Sequence, residues 1–383
     1  MVKLHAKLRI FICGPTLYEK CHIGHARIFI FFNFLINFHR FVGDLPVAIL
    51  QLTDIDHKIY QKSSNSNHKI EKIANLPDKY LIYLFRDLEN LQIEHNFIYS
   101  RVSDFLSLIK NDVVDILRTK RGYSYAGNVY LTIEDPIVGS LGLTSDEIDD
   151  MPIDISSGTK NQRDILIWNS ENFYQEYKKT DCNGENNDTI LTTGIPGWHF
   201  QDHEIIKNVF SAKYDIHGGA RELLYPHHEF IDELFITNNS DVGNLNRNNN
   251  WVHVGLVNFD SQKMSNSSGN TVSISDVLKR YSPNALKIFF LSKNYKDDVE
   301  FSIEDLDRAD IVDKIISGFL LKKDNNHHQY NYLEKDYLRQ FLKFMRDDYD
   351  TESSISLILR IIDKHHNPVL IESMVGILGL KYY

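Results

Sequence analysis

Several things are scarce in this chain. Its 383 residues include three cysteines, Cys13, Cys21 and Cys182, too few and too irregularly spaced for a disulfide framework, which suits a reducing compartment. No stretch approaches 18 uninterrupted apolar residues, and the opening MVKLHAKLRI runs into a strand-like pattern without the apolar core of a signal peptide. A cytoplasmic protein with no membrane partner is therefore expected. Excess positive charge is missing too: 42 Lys and Arg stand against 52 Asp and Glu, a formal net charge of −10. That excludes a generally basic coat, so any polyanion must be met in a local groove. No internal repeat is found.

What is present is the make-up of a globular protein large enough for two or three folding units, with 42% apolar and 25% charged residues. Apolar and β-branched residues fill 8–12, Cys13-Gly14-Pro15 breaks the run, and apolar residues recur at helical spacing from about His25 to Phe41. A second apolar run, Val47 to Leu52, ends in Thr53-Asp54, and helical patterning resumes near Ile59 and from Lys79 to Leu91. Strand and helix in alternation predict an α/β fold with a Rossmann-like parallel sheet. The spacing predicts this catalytic domain over 1–95 and 163–272, interrupted by an inserted α+β segment over 96–162. That segment combines a helix-like piece, Leu106 to Leu117, with a hairpin-like one, Gly122 to Ile133. Asp164 to Trp168 reads as a buried strand. From Ser273 onward the strands give way to amphipathic helices (Ile274 to Tyr281, Asn284 to Ser292, Ile303 to Leu321, Tyr332 to Tyr349, Ile355 to His365), predicting a helical domain over 273–383.

His22-Ile23-Gly24-His25 lies between the first strand and the first long helix, where an open α/β sheet binds nucleotides. A helix start offers unpaired N–H groups and a positive dipole end, Gly24 allows close approach, and two imidazoles three residues apart can donate to one phosphate. Taken alone, the tetrapeptide reads equally well as two exposed histidines beside a helix cap. Some 240 residues later Lys263-Met264-Ser265-Asn266-Ser267-Ser268-Gly269-Asn270 follows another apolar run. A Ser/Gly loop carrying a lysine can close over a triphosphate and meet the charge that develops as pyrophosphate departs.

These two stretches resemble the HIGH and KMSKS signatures of class I aminoacyl-tRNA synthetases, and the flanking sequence resembles the cysteinyl-tRNA synthetase family. Residues 11–18 (FICGPTLY) resemble its CGPTVY stretch, 52–58 (LTDIDHK) its TDVDDK, 197–199 its GWH, 215–219 its DIHGG and 226–229 its PHHE; 164–168 and 301–306 also match. The likeness runs in order from about residue 8 to 310. It implies ATP with Mg2+ as cosubstrate, an amino acid (cysteine favoured) activated as its adenylate, and tRNA as acceptor, approached at its acceptor end. His22, His25 and Lys263 would meet the phosphorus-centred charge. Gly14, Thr16, Gly24, Gln51, Thr53, Trp198, Gly218, Gly219, Glu222, Ser265 and Ser267 would line the nucleotide and adenylate side. Trp198 reads equally as a core aromatic.

The family holds a zinc ion with two cysteines, a histidine and a glutamate, and the substrate thiol binds that zinc. Here Cys13 and His227 stand at matching positions, but the second cysteine falls on Asp202 and the glutamate on Ile231, which cannot coordinate. Two outcomes are open. Cys13, Asp202 and His227 could form a three-ligand site with a fourth position for a thiol, or the metal is lost, and the loss of two ligand types out of four weighs towards the second. Other departures are Arg221, a cation where the family has a small residue, and Asn266 in place of the second KMSKS lysine. Only 120 residues follow Lys263; the family's helical domain is expected among them, its anticodon-reading domain is expected to be absent, and a monomer is favoured. The resemblance leaves two other readings: a tRNA-independent cysteine ligase of the mycothiol-ligase type, and a non-catalytic paralogue.

Overall fold

The computed structural model describes residues 8–64, 69–133, 160, 164–170, 194–238, 250–264, 269–321, 332–364 and 367–382. Ser265, Asn266, Ser267 and Cys182 lie outside them. The first strand, β1 (Leu8–Ile12), forms where β-favouring residues cluster, and Ile10, Phe11 and Ile12 are fully buried. Helix α1 (Ile23–Phe41) follows, then β2 (Pro46–Leu52), α2 (His57–Ser64), α3 (Lys69–Asn90), β3 (Ile98–Arg101) and α4 (Leu106–Arg118). Strands β4 (Gly122–Tyr125) and β5 (Asn128–Leu131) make the expected hairpin, closed by Ala126 and Gly127, both at positive φ as a type I′ turn requires. Strands β6 (Ile165–Asn169) and β7 (Ile195–Pro196) extend it to a four-stranded antiparallel sheet.

Helix α5 (Trp198–Phe210), β8 (Ile216–Ala220), α6 (Glu229–Asn238) and β9 (Asn250–Val254) complete the α/β part. The principal sheet has the order β3-β2-β1-β8-β9, with β1 parallel to β8 and β2 parallel to β3. The chain leaves β1 for β2 on one side and later returns to β8 on the other. The C-terminal end of β1 is therefore a topological switch point, where such sheets open a ligand crevice.

A small sheet combines β10 (Val257–Phe259), β11 (Gln262–Lys263) and β12 (Val299–Glu300). Helices α7 (Ile274–Leu278), α8 (Pro283–Leu291), α9 (Ile303–Leu320), α10 (Tyr332–Arg346), α11 (Thr351–Asp363) and α12 (Pro368–Ile377) make up the rest. Two details differ from the sequence reading. Strand β12 lies beyond Ser273, because two residues carry no detectable alternation. Helix α12 was not anticipated. It is capped by Asn367, whose Oδ1 accepts from Val369 N at 2.9 Å, and its run of buried Leu370, Ile371, Met374, Val375 and Ile377 lacks a clean polar face.

By contacts the chain forms two compact units, one from Met1–Tyr18, Ile49–Tyr80 and Ile98–Val252, the other from Glu19–Ala48, Leu81–Phe97 and His253–Tyr383. Among the described residues no helix is long and apolar enough to cross a membrane.

Candidate active site

In the second unit, His22 is the N-cap of α1. Its Nδ1 accepts from Gly24 N at 3.1 Å, and its own backbone N–H donates to His25 Nδ1 at 3.3 Å, a reciprocal capping box built from two imidazoles. Gly24 is needed for this: a Cβ there would stand 2.8 Å from the His22 ring. Both Nδ1 atoms accept, so both neutral rings carry their proton on Nε2 and keep that donor for a ligand. Burial, then the charge of Lys263, pushes the His22 pKa down to about 4; burial and the neighbouring His22 push that of His25 down to about 3. No acidic side chain occupies the first turn of α1, so its positive end is left for an anion.

The lysine arrives on a second I′ hairpin, in which Asp260 and Ser261 both have positive φ and Asn258 pairs with Lys263. Asn270 Nδ2 donates to Lys263 O at 3.0 Å, tying together the ends of the 265–268 stretch. Beyond it, Ile23 N donates to Val272 O at 3.0 Å, and His22 forms an antiparallel bridge with Ser273. The histidine pair and the lysine turn, some 240 residues apart in sequence, thus share one neighbourhood. Ser265 and Ser267 cannot be placed, lying outside the described residues.

The first unit holds the remaining candidates. Gly14 follows β1, and a Cβ on it would lie 1.9 Å from Gln51 O, so a side chain there is excluded by the chain's own backbone. Thr16 bridges Thr53 in parallel, Leu17 N donates to Thr53 O at 2.9 Å, and Gln51 Nε2 donates to Thr53 Oγ1 at 2.9 Å. Trp198 is half-buried; its Nε1 donates to the fully buried Asp56 at 2.5 Å, and Lys58 Nζ lies 5.3 Å above its ring. Glu222 and Arg221 are exposed in the turn after β8.

Cys13 sits at the switch point, its N–H donating to Gly218 O at 2.9 Å, and it is the centre of a buried donor cluster. Its Sγ lies 3.0 Å from Asp202 Oδ2, 3.8 Å from His227 Nε2, 3.2 Å from His228 Nε2 and 3.4 Å from His217 Nε2. Asp202 Oδ2 and His227 Nε2 are 3.1 Å apart, and His227 Nδ1 meets His199 Nδ1 at 3.0 Å. Residues 199 and 202 stand one turn apart on α5 and face the same way. Gly219 keeps the wall thin, a Cβ there lying 3.3 Å from Cys13 Cβ.

Burial, reinforced by the Asp202 charge, raises the Cys13 thiol well above its usual pKa, so a cation is what would hold it as thiolate. Cys13, Asp202 and His227, named together from the sequence, lie within 3.8 Å of one another. The sequence reading missed His217 and His228, though both lie in quoted motifs, since only one histidine of the PHHE stretch was matched to a ligand. One thiol, one carboxylate and imidazoles within about 4 Å are donors that suit zinc. Ile231, at the family's glutamate position, is fully buried.

The α/β fold is that of class I aminoacyl-tRNA synthetases. The chain shares it with the Mycobacterium tuberculosis methionyl-tRNA synthetase solved with methionyl-adenylate (TM-score 0.61, 12% identity, covering 97% of this chain and 82% of that one). It also shares it with the arginyl-tRNA synthetase of Plasmodium falciparum (TM-score 0.59, 11% identity, covering 98% and 76%). The chain belongs to the family of tRNA synthetases class I (C) catalytic domain, whose profile matches residues 1–311. A cysteine–tRNA ligase of Methanococcus vannielii is 30% identical over 306 residues, 79% of this chain and 61% of the relative. One from Buchnera aphidicola is 31% identical over 363 residues, 94% of this chain and 74% of the relative. The chain therefore spans about three-fifths to three-quarters of the length of these relatives.

Proposed function

We propose that this chain activates cysteine with ATP to cysteinyl adenylate and transfers the cysteinyl group to the acceptor end of a tRNA, acting as a monomer in the cytoplasm. One observation carries the reading: two neutral imidazoles, each with its Nε2–H unspent on the cap, stand at a helix N-terminus with no acidic residue in its first turn, within the field of Lys263. In such a reaction the amino-acid carboxylate attacks the α-phosphorus and pyrophosphate leaves. The protein's part is to hold two anions in line and to meet the charge of the pentacoordinate phosphorus with preorganised donors. His22 and His25 would donate without themselves titrating, and Lys263 would neutralise the departing pyrophosphate. Mg2+ would enter as part of the ATP substrate. A zinc ion held by Cys13, Asp202 and His227 would supply recognition of the thiol over a hydroxyl, a difference that packing alone separates weakly.

The test is ATP–pyrophosphate exchange by the purified chain with each amino acid in turn, then charging of tRNA. Exchange with cysteine alone is expected, lowered on the order of 10²–10³-fold by His22→Ala or Lys263→Ala while circular dichroism stays unchanged. Exchange with no amino acid would overturn the reading. Exchange without charging would replace tRNA with a small amine acceptor.

A further inference from the structure

We propose that His228 takes over the coordinating role lost at Ile231, so that the chain holds zinc through Cys13, His227 and His228, with Asp202 completing the set. The inference deepens the reading above and rests on it for the purpose of the site, but it concerns only where the donors are. The ligand atoms of Cys13, His227 and His228 all lie within 4.8 Å of one another, and all three residues are buried. Tetrahedral zinc with bonds of about 2.3 Å to sulfur and about 2.0 Å to nitrogen or oxygen sets its ligand atoms roughly 3.3–3.6 Å apart. The separations here bracket that figure, at 3.2 Å for Cys13 to His228, 3.8 Å for Cys13 to His227, 3.0 Å for Cys13 to Asp202 and 3.1 Å for His227 to Asp202.

Adjacent residues of a regular helix point about 100° apart and would not share a ligand. The Leu224–His228 segment is instead no continuous helix: it is kinked at Tyr225, whose backbone is extended, with φ −124° and ψ 138°. Beyond that kink the two consecutive imidazoles both approach one sulfur, His227 Nε2 at 3.8 Å and His228 Nε2 at 3.2 Å from Cys13 Sγ. The ring of His228 is supported by Trp251, whose centroid lies 4.8 Å away. Glutamate four residues after His227 becomes dispensable once the next residue supplies a donor, and buried Ile231 can then pack as core. The exchange also leaves two anionic donors, Cys13 and Asp202, where the family's set has three, so a bound cation would keep more of its charge for an incoming thiolate.

The experiment measures metal, not catalysis, on the full chain: zinc per chain after reconstitution and dialysis, and the visible spectrum of the cobalt-substituted protein. The wild type is expected to retain one zinc. His228→Ala should weaken zinc at least about 100-fold, more than the loss of an outer-shell partner costs, and adding Ile231→Glu to it should restore binding. The decisive variant is His228→Cys, which should keep the metal and roughly double the sulfur-to-cobalt charge-transfer intensity, a gain that no folding defect can imitate. A wild type that retains no zinc, or a His228→Cys spectrum with the wild-type sulfur intensity, overturns the proposal. Loss of charging with these metal readings intact would instead count against the proposed activity alone.

Discussion

At the residue scale the site depends on histidines that stay neutral. Folding lowers the pKa of His22 to about 4 and of His25 to about 3 from an ordinary 6.5, so the pair remains uncharged throughout the working pH range. A depressed imidazole pKa contributes stability that is present above pH 6.5 and lost as pH falls towards 4 and 3. In an NMR titration both rings should therefore hold their shifts from pH 8 to pH 5, and their ¹⁵N resonances should report the Nε2–H form. A midpoint near 6.5 for either would refute the capping-box account of the tautomer. The HIGH residues were legible in sequence because their geometry is local, four residues around one helix start. Gly14 was legible as a special position, and the structure adds a physical reason for glycine there: a Cβ would stand 1.9 Å from Gln51 O.

At the element scale, α1 is fastened to its surroundings by a buried cation. Arg27, 2% exposed, donates to Leu256 O at 2.9 Å, Asn294 O at 3.0 Å and Tyr295 O at 3.4 Å, so it bonds the segments just before β10 and before β12 to the helix that carries His22 and His25. Carbonyls left without these donors inside the protein would bear their full desolvation cost. Arg27→Met, which keeps most of the volume, is expected to destabilise the chain by about 2–4 kcal/mol, read as a lower urea midpoint with the slope retained. A change under about 0.5 kcal/mol would mean that water replaces the guanidinium. The long periodic elements were read correctly from sequence, since burial on one face writes itself as spacing. The two-residue β11 and β12 left no such trace, and the all-round apolar α12 blurred its own period.

At the scale of the whole molecule, a buried carboxyl makes stability depend on pH. Asp87 is 7% exposed, and burial raises its pKa from 3.8 to about 6, with Lys20 opposing the shift. A raised carboxyl pKa contributes stability that is fully present below pH 3.8 and lost as pH rises through about 6. Asp87→Asn removes that dependence, so the variant should gain on the wild type as pH climbs from 4 to 7, by about 1–2 kcal/mol after discounting for solvent screening. Thermal denaturation at both pH values checks it, and a gap that stays constant or shrinks would show that Asp87 is better paired than its burial suggests.

Composition and spacing determined the α/β class and the helical character of the C-terminal part, and the family came from the resemblance of its motifs to a known one, because signatures of consecutive residues survive in one dimension. Tertiary structure decided which side chains surround Cys13. Whether Asp202, His217 and His228 converge on the sulfur of Cys13 depends on strand pairing and on the kinked segment before α6, and neither leaves a periodic mark in the order of the residues.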